Sequence, residues 1–136
     1  MNISSEQIQG RVPVTVMRLS GDVDGSNYQT VIQAARDAYQ QGARDLLLDM
    51  SGVGYTSSAG LVALLSMARL FNGQEMHDPE AGWRSIHMVG DARDAGLQTH
   101  VKLLSPQPRV SGILEQTGLN AHFTIFTDEA AAVASF

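Results

Sequence analysis

Two adjacent hydroxyls, Ser57 and Ser58, fall where an apolar run gives way to a helical pattern, inside Asp49-Met-Ser-Gly-Val-Gly-Tyr-Thr-Ser-Ser-Ala-Gly-Leu61. A helix start leaves its first backbone N–H groups without intrahelical partners and carries the positive end of the helix dipole. Serine is a preferred residue for satisfying one of those donors, so one hydroxyl is accounted for as an N-cap worth about 1 kcal/mol. The other is spare. With Ser57 capping onto the Gly60 amide, Ser58 stands in the first turn with its hydroxyl facing outward. A phosphate there would meet N–H groups and the positive end of the dipole, and would add about two negative charges to a surface on which a partner can dock. That chemistry makes a switch.

Other chemistries find less support. A serine nucleophile on a strand-to-helix turn needs Gly-x-Ser-x-Gly, and Ser58 has Gly60 two after it but Thr56 two before it. A hydrolase stays an alternative only with a base supplied by a distant histidine. The four histidines, His77, His87, His100 and His122, lack the i, i+4 spacing and carboxylate company of a metal site and read as surface or loop residues. Gly21-x-x-x-Gly25 and Gly52-x-Gly54 have no Walker lysine and no third glycine of a dinucleotide fingerprint, so plain turns explain them. The chain has no cysteine, which removes disulfides, thiolate metal ligands and cysteine nucleophiles together. Neither a cofactor nor a metal is expected.

The elements that must position the hydroxyl pair follow from periodicity. Leu46-Leu47-Leu48 is a continuous apolar run, which suits a strand covered on both faces, within a strand expected over Arg44–Met50. Leu61, Leu64, Leu65, Ala68 and Phe71 recur at helical spacing, predicting a helix from Ser57 or Ser58 to Phe71 that Asn72-Gly73 ends. Upstream, Val12, Val14 and Val16 alternate with Pro13, Thr15 and Met17, a strand over Val12–Leu19, and Ile3–Ile8 can form an edge strand hairpinned to it across Gly10-Arg11. Gly21–Ser26 is a turn in which Ser26 or Asp24 can cap the next helix, expected over Asn27–Gln41 and closed by Gly42. Downstream come a strand at His100–Leu104, a helix opened by Pro106 and Pro108 through Thr117, a strand at His122–Phe126 and a terminal helix capped by Thr127-Asp128-Glu129. Strand, helix, strand in succession gives right-handed crossovers and a mostly parallel sheet.

Gln74–Thr99 is the least readable segment. It holds the lone tryptophan, with a short strand possible at Trp83–Val89 and a helical turn at Asp91–Ala95, and is about twenty residues longer than a connecting loop needs to be. The length of 136 residues fits one domain, 1–136, with that segment as an insert. Hydrophobic content of 43% against 17% charged is that of a globular chain, and a net charge of -5 disfavours nucleic acid and anionic membranes as partners. The start shows no basic-then-apolar leader and no run reaches the roughly 18 residues of a membrane span, so a cytoplasmic protein is expected.

In sequence order, Gly21-Asp-Val-Asp24, Leu46-Leu-Leu-Asp49 running into Tyr55-Thr-Ser-Ser-Ala-Gly-Leu61, Leu103-Leu-Ser-Pro-Gln-Pro-Arg109 and Ile113-Leu-Glu-Gln-Thr-Gly-Leu119 through Phe126 resemble a STAS domain, specifically a bacterial anti-anti-sigma factor (anti-sigma factor antagonist). The resemblance implies an α/β, STAS-like single domain with a central, mostly parallel sheet, an antiparallel N-terminal edge and about four helices. It implies a non-enzymatic part in partner switching. An anti-sigma factor serine kinase of the histidine-kinase-like ATPase fold would bind the unphosphorylated chain, phosphorylate it at the position of Ser58 and release it, and a serine phosphatase would reset it.

Asp24 matches the acidic residue of the first loop beside the phosphosite. The docking surface implied comprises Asp24, Ser26, Thr56, Ser57, Ala59, Gly60 and Leu61, with Gly60 giving a partner clearance at the first turn. Family members often carry Asp-Ser-Ser-Gly where this chain has Ser57-Ser58-Ala59-Gly60, which keeps Ser57 as the alternate acceptor. Within the same family, a subunit of a stressosome-like complex or of a lipid transporter is the alternative role.

Overall fold

A computed structural model describes residues 1–73 and 97–136. Five strands form one sheet in the order β1-β2-β3-β4-β5: β1 (Asn2–Gln9), β2 (Pro13–Ser20), β3 (Leu46–Gly52), β4 (Gln98–Leu104) and β5 (Phe123–Phe126). β1 pairs antiparallel with β2, and every other neighbour pair is parallel. The helices are α1 (Tyr28–Gln40), α2 (Ser58–Phe71), α3 (Pro108–Thr117) and α4 (Glu129–Ala134), with a 3-10 turn at Leu119–Ala121. This is the expected α/β class, antiparallel N-terminal edge included.

Each crossover steps one strand in the same direction, and crossovers of one hand leave their helices on one face. α1, α2 and α3 accordingly bury Val31, Ile32, Leu61, Leu64, Leu65, Val110 and Leu114 against Met17, Leu19, Leu46, Leu48, Val101 and Leu103. The opposite face carries Val14, Val16, Leu47 and Leu104, covered by Ala132 and Val133 of α4. Adjacent residues Leu46, Leu47 and Leu48 thus enter two different cores, which is why that strand reads as continuous rather than alternating. β2 keeps the expected two-residue alternation, Val14 and Val16 facing α4, but its other face is buried as well, with Met17 and Leu19 against the other helices.

Boundaries shift by a few residues. β3 starts at Leu46 and continues to Gly52, and β5 starts one residue after His122. Gln98 and Thr99, read from the sequence as the end of the insert, open β4, while the possible strand at 83–89 and turn at 91–95 lie outside the described residues. α2 is buried from Gly60 to Ala68 and again at Phe71, rather than along one stripe. α1 flanks it through an edge-on Tyr39–Phe71 contact at 5.3 Å, and the Gln98 amide donates to the Ala68 carbonyl at 2.7 Å from β4.

One ion-pair hub was not legible in the sequence. Arg18, on the α4 side of β2, donates to Glu6 of β1 (2.5 Å), Asp49 of β3 (3.0 Å) and Glu129 at the start of α4 (2.6 Å), so it ties four elements together. These bonds, that to Glu129 foremost, raise the guanidinium's pKa above its ordinary value. Burial alone would raise the Asp49 carboxyl, but the Ser51 N–H and hydroxyl together with Arg18 outweigh it and hold the group below the usual carboxylate range.

Candidate functional site

At the carboxyl ends of β2 and β3 two loops run side by side. The Val23 N–H donates to the Tyr55 carbonyl (3.0 Å) and the Ser57 N–H to the Val23 carbonyl (2.9 Å), an isolated parallel bridge between Val23 and Thr56. Gly21 N–H to Gly52 carbonyl, 2.9 Å, extends the same zipper toward the sheet. Gly52 is needed for this approach, because a Cβ there would stand 2.7 Å from the Leu19 carbonyl oxygen. The bridge carries the acidic loop of Asp24 to the start of α2, joining two segments far apart in sequence.

Within the first loop, Asp24 Oδ1 accepts from the Ser26 hydroxyl (2.6 Å) and the Ser26 N–H (2.9 Å). Those bonds, the hydroxyl first, hold the Asp24 carboxyl below its ordinary pKa, so it is a charged group at neutral pH. They also engage both residues expected as caps. The cap position of α1 is Asn27, whose side chain instead closes the loop: its Nδ2 donates to the Asp22 carbonyl at 2.8 Å and its Oδ1 accepts the Asp24 N–H at 3.0 Å. Neither Ser26 nor Asp24 caps the helix through its side chain; the Asp24 backbone carbonyl receives the Asn27 and Tyr28 N–H groups.

Ser57 is the N-cap of α2, as expected, but its hydroxyl accepts from the Ala59 N–H (3.2 Å) rather than from that of Gly60. Gly60 and Leu61 donate to the Ser57 carbonyl at 3.0 and 3.3 Å. Of the first-turn amides this leaves the Ser58 N–H, a smaller set of open donors than the sequence suggested. Ser58 is the first helical residue and is exposed, and its hydroxyl makes no hydrogen bond with a described residue.

The remaining residues assigned to the site divide by burial. Asp24, Ser26, Ser57 and Ala59 are reachable from solvent, whereas Thr56 (2% exposed), Gly60 and Leu61 (4%) are interior. A Cβ on Gly60 would overlap Thr56 Oγ1 and lie 3.1 Å from Val23 Cγ1. Gly60 therefore serves the internal seam between the helix start and the zippered loops, and the expectation that it clears space for a partner is corrected.

Two rim residues went unassigned. Tyr55 is 39% exposed just before the hydroxyl run, and the exposed Arg109 of α3 sits over its ring with Cζ 5.5 Å from the centroid. An aromatic in a loop beside the hydroxyls was the available signal; nothing in the sequence tied Arg109 to it. The described histidines lie at the other end of the sheet. His100 pairs with Asp45 at 3.0 Å near the starts of β4 and β3, and His122, in the turn before β5, is buried and edge-on to Phe123 rather than on the surface. Neither can act as a base for Ser58. His77 and His87 lie outside the described residues.

These residues build a small α/β domain, its sheet parallel but for one antiparallel edge, with a capped helix start displayed beside an acidic loop. The model of the family described as "Mlab, STAS domain" matches residues 6–77, which is 72 of 136 residues. The chain belongs to the STAS family. Among solved structures, a candidate anti-sigma factor antagonist from Thermotoga maritima is similar with a TM-score of 0.69 at 14% identity, covering 96% of this chain and 90% of that one. An anti-sigma factor antagonist from Mycobacterium paratuberculosis is similar at 0.66 and 18%, covering 98% and 93%. The Bacillus cell fate determinant SpoIIAA in its phosphorylated form is similar at 0.55 and 20%, covering 96% of each chain. At these identities the likeness establishes the fold. No curated protein matches the chain. Among the described residues, no helix is long and apolar enough to cross a membrane.

Proposed function

We propose that the chain is an anti-sigma factor antagonist, a non-enzymatic cytoplasmic protein that controls transcription by partner switching. Unphosphorylated, it binds an anti-sigma factor serine kinase of the histidine-kinase-like ATPase fold; phosphorylation of Ser58 releases it, and a serine phosphatase restores it. The observation that carries this reading is the division between the two hydroxyls. Ser57 is occupied by the Ala59 amide, while Ser58 is exposed and uncommitted on the next residue. STAS membership and the fold shared with anti-sigma factor antagonists support the same role.

Release has a physical cause. Asp24 is charged and precedes the first helix on the loop bridged to the Ser58 segment, so a phosphate added at Ser58 brings like charge to an already acidic rim. Phosphate meets the dipole of α2 and the open Ser58 N–H, so the domain stays folded while its outer surface becomes more negative against the partner. Incubation with ATP and a candidate kinase, followed by mass spectrometry, tests the proposal. Phosphate at Ser58 is expected, with Ser57 the alternate acceptor. Phosphate on none of Thr56, Ser57 and Ser58 overturns the switch and redirects attention to the stressosome-like or transporter role.

A further inference from the structure

The two edges of the sheet are built differently. β5 is four residues long, and its pairing with β4 is interrupted between Gln98 and Leu103. β1 is eight residues long and pairs with β2 residue for residue, from Asn2 opposite Ser20 to Gln9 opposite Pro13, without a bulge. Among the described residues its other side has no strand neighbour, and α1 stands off from it, leaving an open groove lined by Ile3, Ser5, Gln29, Gln33 and Asp37. Natural edges of such length are ordinarily blunted by lysine or other charged side chains, proline, a bulge, or a covering helix or loop. Asn2-Ile-Ser-Ser-Glu-Gln-Ile-Gln9 has no lysine or proline, and its one charge, Glu6, is bonded to Arg18.

We infer that β1 pairs antiparallel with β1 of a second copy of this chain, across a two-fold axis normal to the sheet at Ser5, to make a continuous ten-stranded sheet. A two-fold contact must be self-complementary. Rotation about an axis normal to the sheet keeps each side chain on its face, so opposed residues differ in number by an even amount. Centring on Ser5 sets Ser4 opposite Glu6, Ile3 opposite Gln7 and Asn2 opposite Ile8, with a hydroxyl facing the carboxylate and no like charges opposed. Centring on Glu6 would oppose two carboxylates, and centring on Ser4 shortens the pairing. The backbone N–H and C=O groups of the free edge supply most of the contact. The rotation reverses strand direction, so the two Ser58 sites sit at opposite ends of the joined sheet and both stay open. The inference does not depend on the proposed function.

A seven-residue pairing buries less than the roughly 1,200 Å² at the low end of stable interfaces, so a weak, concentration-dependent dimer is expected. Sedimentation equilibrium of the unaltered chain is expected to show mass rising from monomer toward dimer as concentration increases to about 1 mM, the weak end of the affinity scale. The chain has no cysteine, so Ser5→Cys introduces a single thiol on the axis, within reach of its copy in an antiparallel pair. Under mild oxidation it is expected to link at least tenfold faster than Gln116→Cys, an exposed position on α3. Ser5→Lys and Ser5→Glu are each expected to be monomeric and to dimerise when mixed. An unaltered chain that stays monomeric overturns the inference, whatever the variants do. A dimer in which Ser5→Cys links no faster than Gln116→Cys, or in which the charged pair fails to recombine, places the contact elsewhere and overturns it equally.

Discussion

Replacing Gly60 with alanine sets two effects against each other. On an exposed helix position the change is favourable by about 1 kcal/mol, because alanine restricts the unfolded chain and suits the helix. Here the added methyl would overlap Thr56 Oγ1 and stand 3.1 Å from Val23 Cγ1 and 3.2 Å from Thr56 Cβ. Thr56 is 2% exposed and its hydroxyl donates to the Ser57 carbonyl at 3.2 Å, so it cannot turn aside without giving up that bond inside the protein. Overpacking costs about 1–3 kcal/mol, and a stranded buried hydroxyl about 1–3 kcal/mol. Together these amount to about 2–6 kcal/mol, and after the helix gain of about 1 kcal/mol a net loss of about 1–5 kcal/mol is expected.

Urea unfolding of Gly60→Ala, Thr56→Ala and the double variant checks the cause as well as the size. Removing Oγ1 relieves the overlap, so the two changes should couple by at least about 1 kcal/mol, as residues in contact do. A Gly60→Ala protein about 1 kcal/mol more stable than the parent, or changes that simply add, would refute the claim that this glycine serves an internal seam.

Ser57→Ala removes the cap on Ala59 and should lower stability by about 1 kcal/mol, seen as a shift in the unfolding midpoint, while leaving Ser58 as the acceptor in a kinase assay. Ser58→Asp should weaken binding to an anti-sigma factor kinase, and Ser58→Ala should bind but accept no phosphate; equal, tight binding by both in a titration would remove charge as the cause of release. Arg18→Met leaves Asp49, whose side chain is 13% exposed, without its cation and should cost about 1–3 kcal/mol at neutral pH, as lost bonds to charged groups do. Because the Asp49 carboxyl is depressed in the folded state, its stabilising contribution is complete above the ordinary carboxylate range near pH 4 and fades as pH falls through the folded value. Acid titration of stability should accordingly be flatter in Arg18→Met than in the parent.

The strands and helices were legible because their signals are local. Leu46–Leu48, the stripe of α1 and the proline opening of α3 each state their structure within a few residues, and the spare serine stands out at a junction that periodicity alone defines. What escaped depends on partners distant in the chain or on the geometry of a turn. Arg18 in a strand looks like an ordinary surface cation until β1, β3 and α4 bring three carboxylates to it. The choice of Asn27 over Ser26 at α1, and of the Ala59 amide over that of Gly60 at Ser57, turns on backbone angles that several polar residues satisfy about equally well in sequence. Burial of Gly60 could not be read at all, because a glycine three residues into a helix has the same appearance whether its missing side chain faces a partner or a threonine.

The Arg18–Glu129 bond spans 111 residues of chain, and this bears on synthesis. At about 5–20 residues per second, roughly 6–22 s separate translation of the two partners. By the time Leu104 has emerged, the strands β1 to β4 exist, and Val14, Val16, Leu47 and Leu104 form an apolar surface whose cover has not yet been made. Leu104 precedes Glu129 by 25 residues, so for roughly 1–5 s the nascent chain presents a bare sheet face to whatever surrounds the ribosome. The C-terminal helix, only six residues long, then ends that exposure as its acidic first turn reaches Arg18.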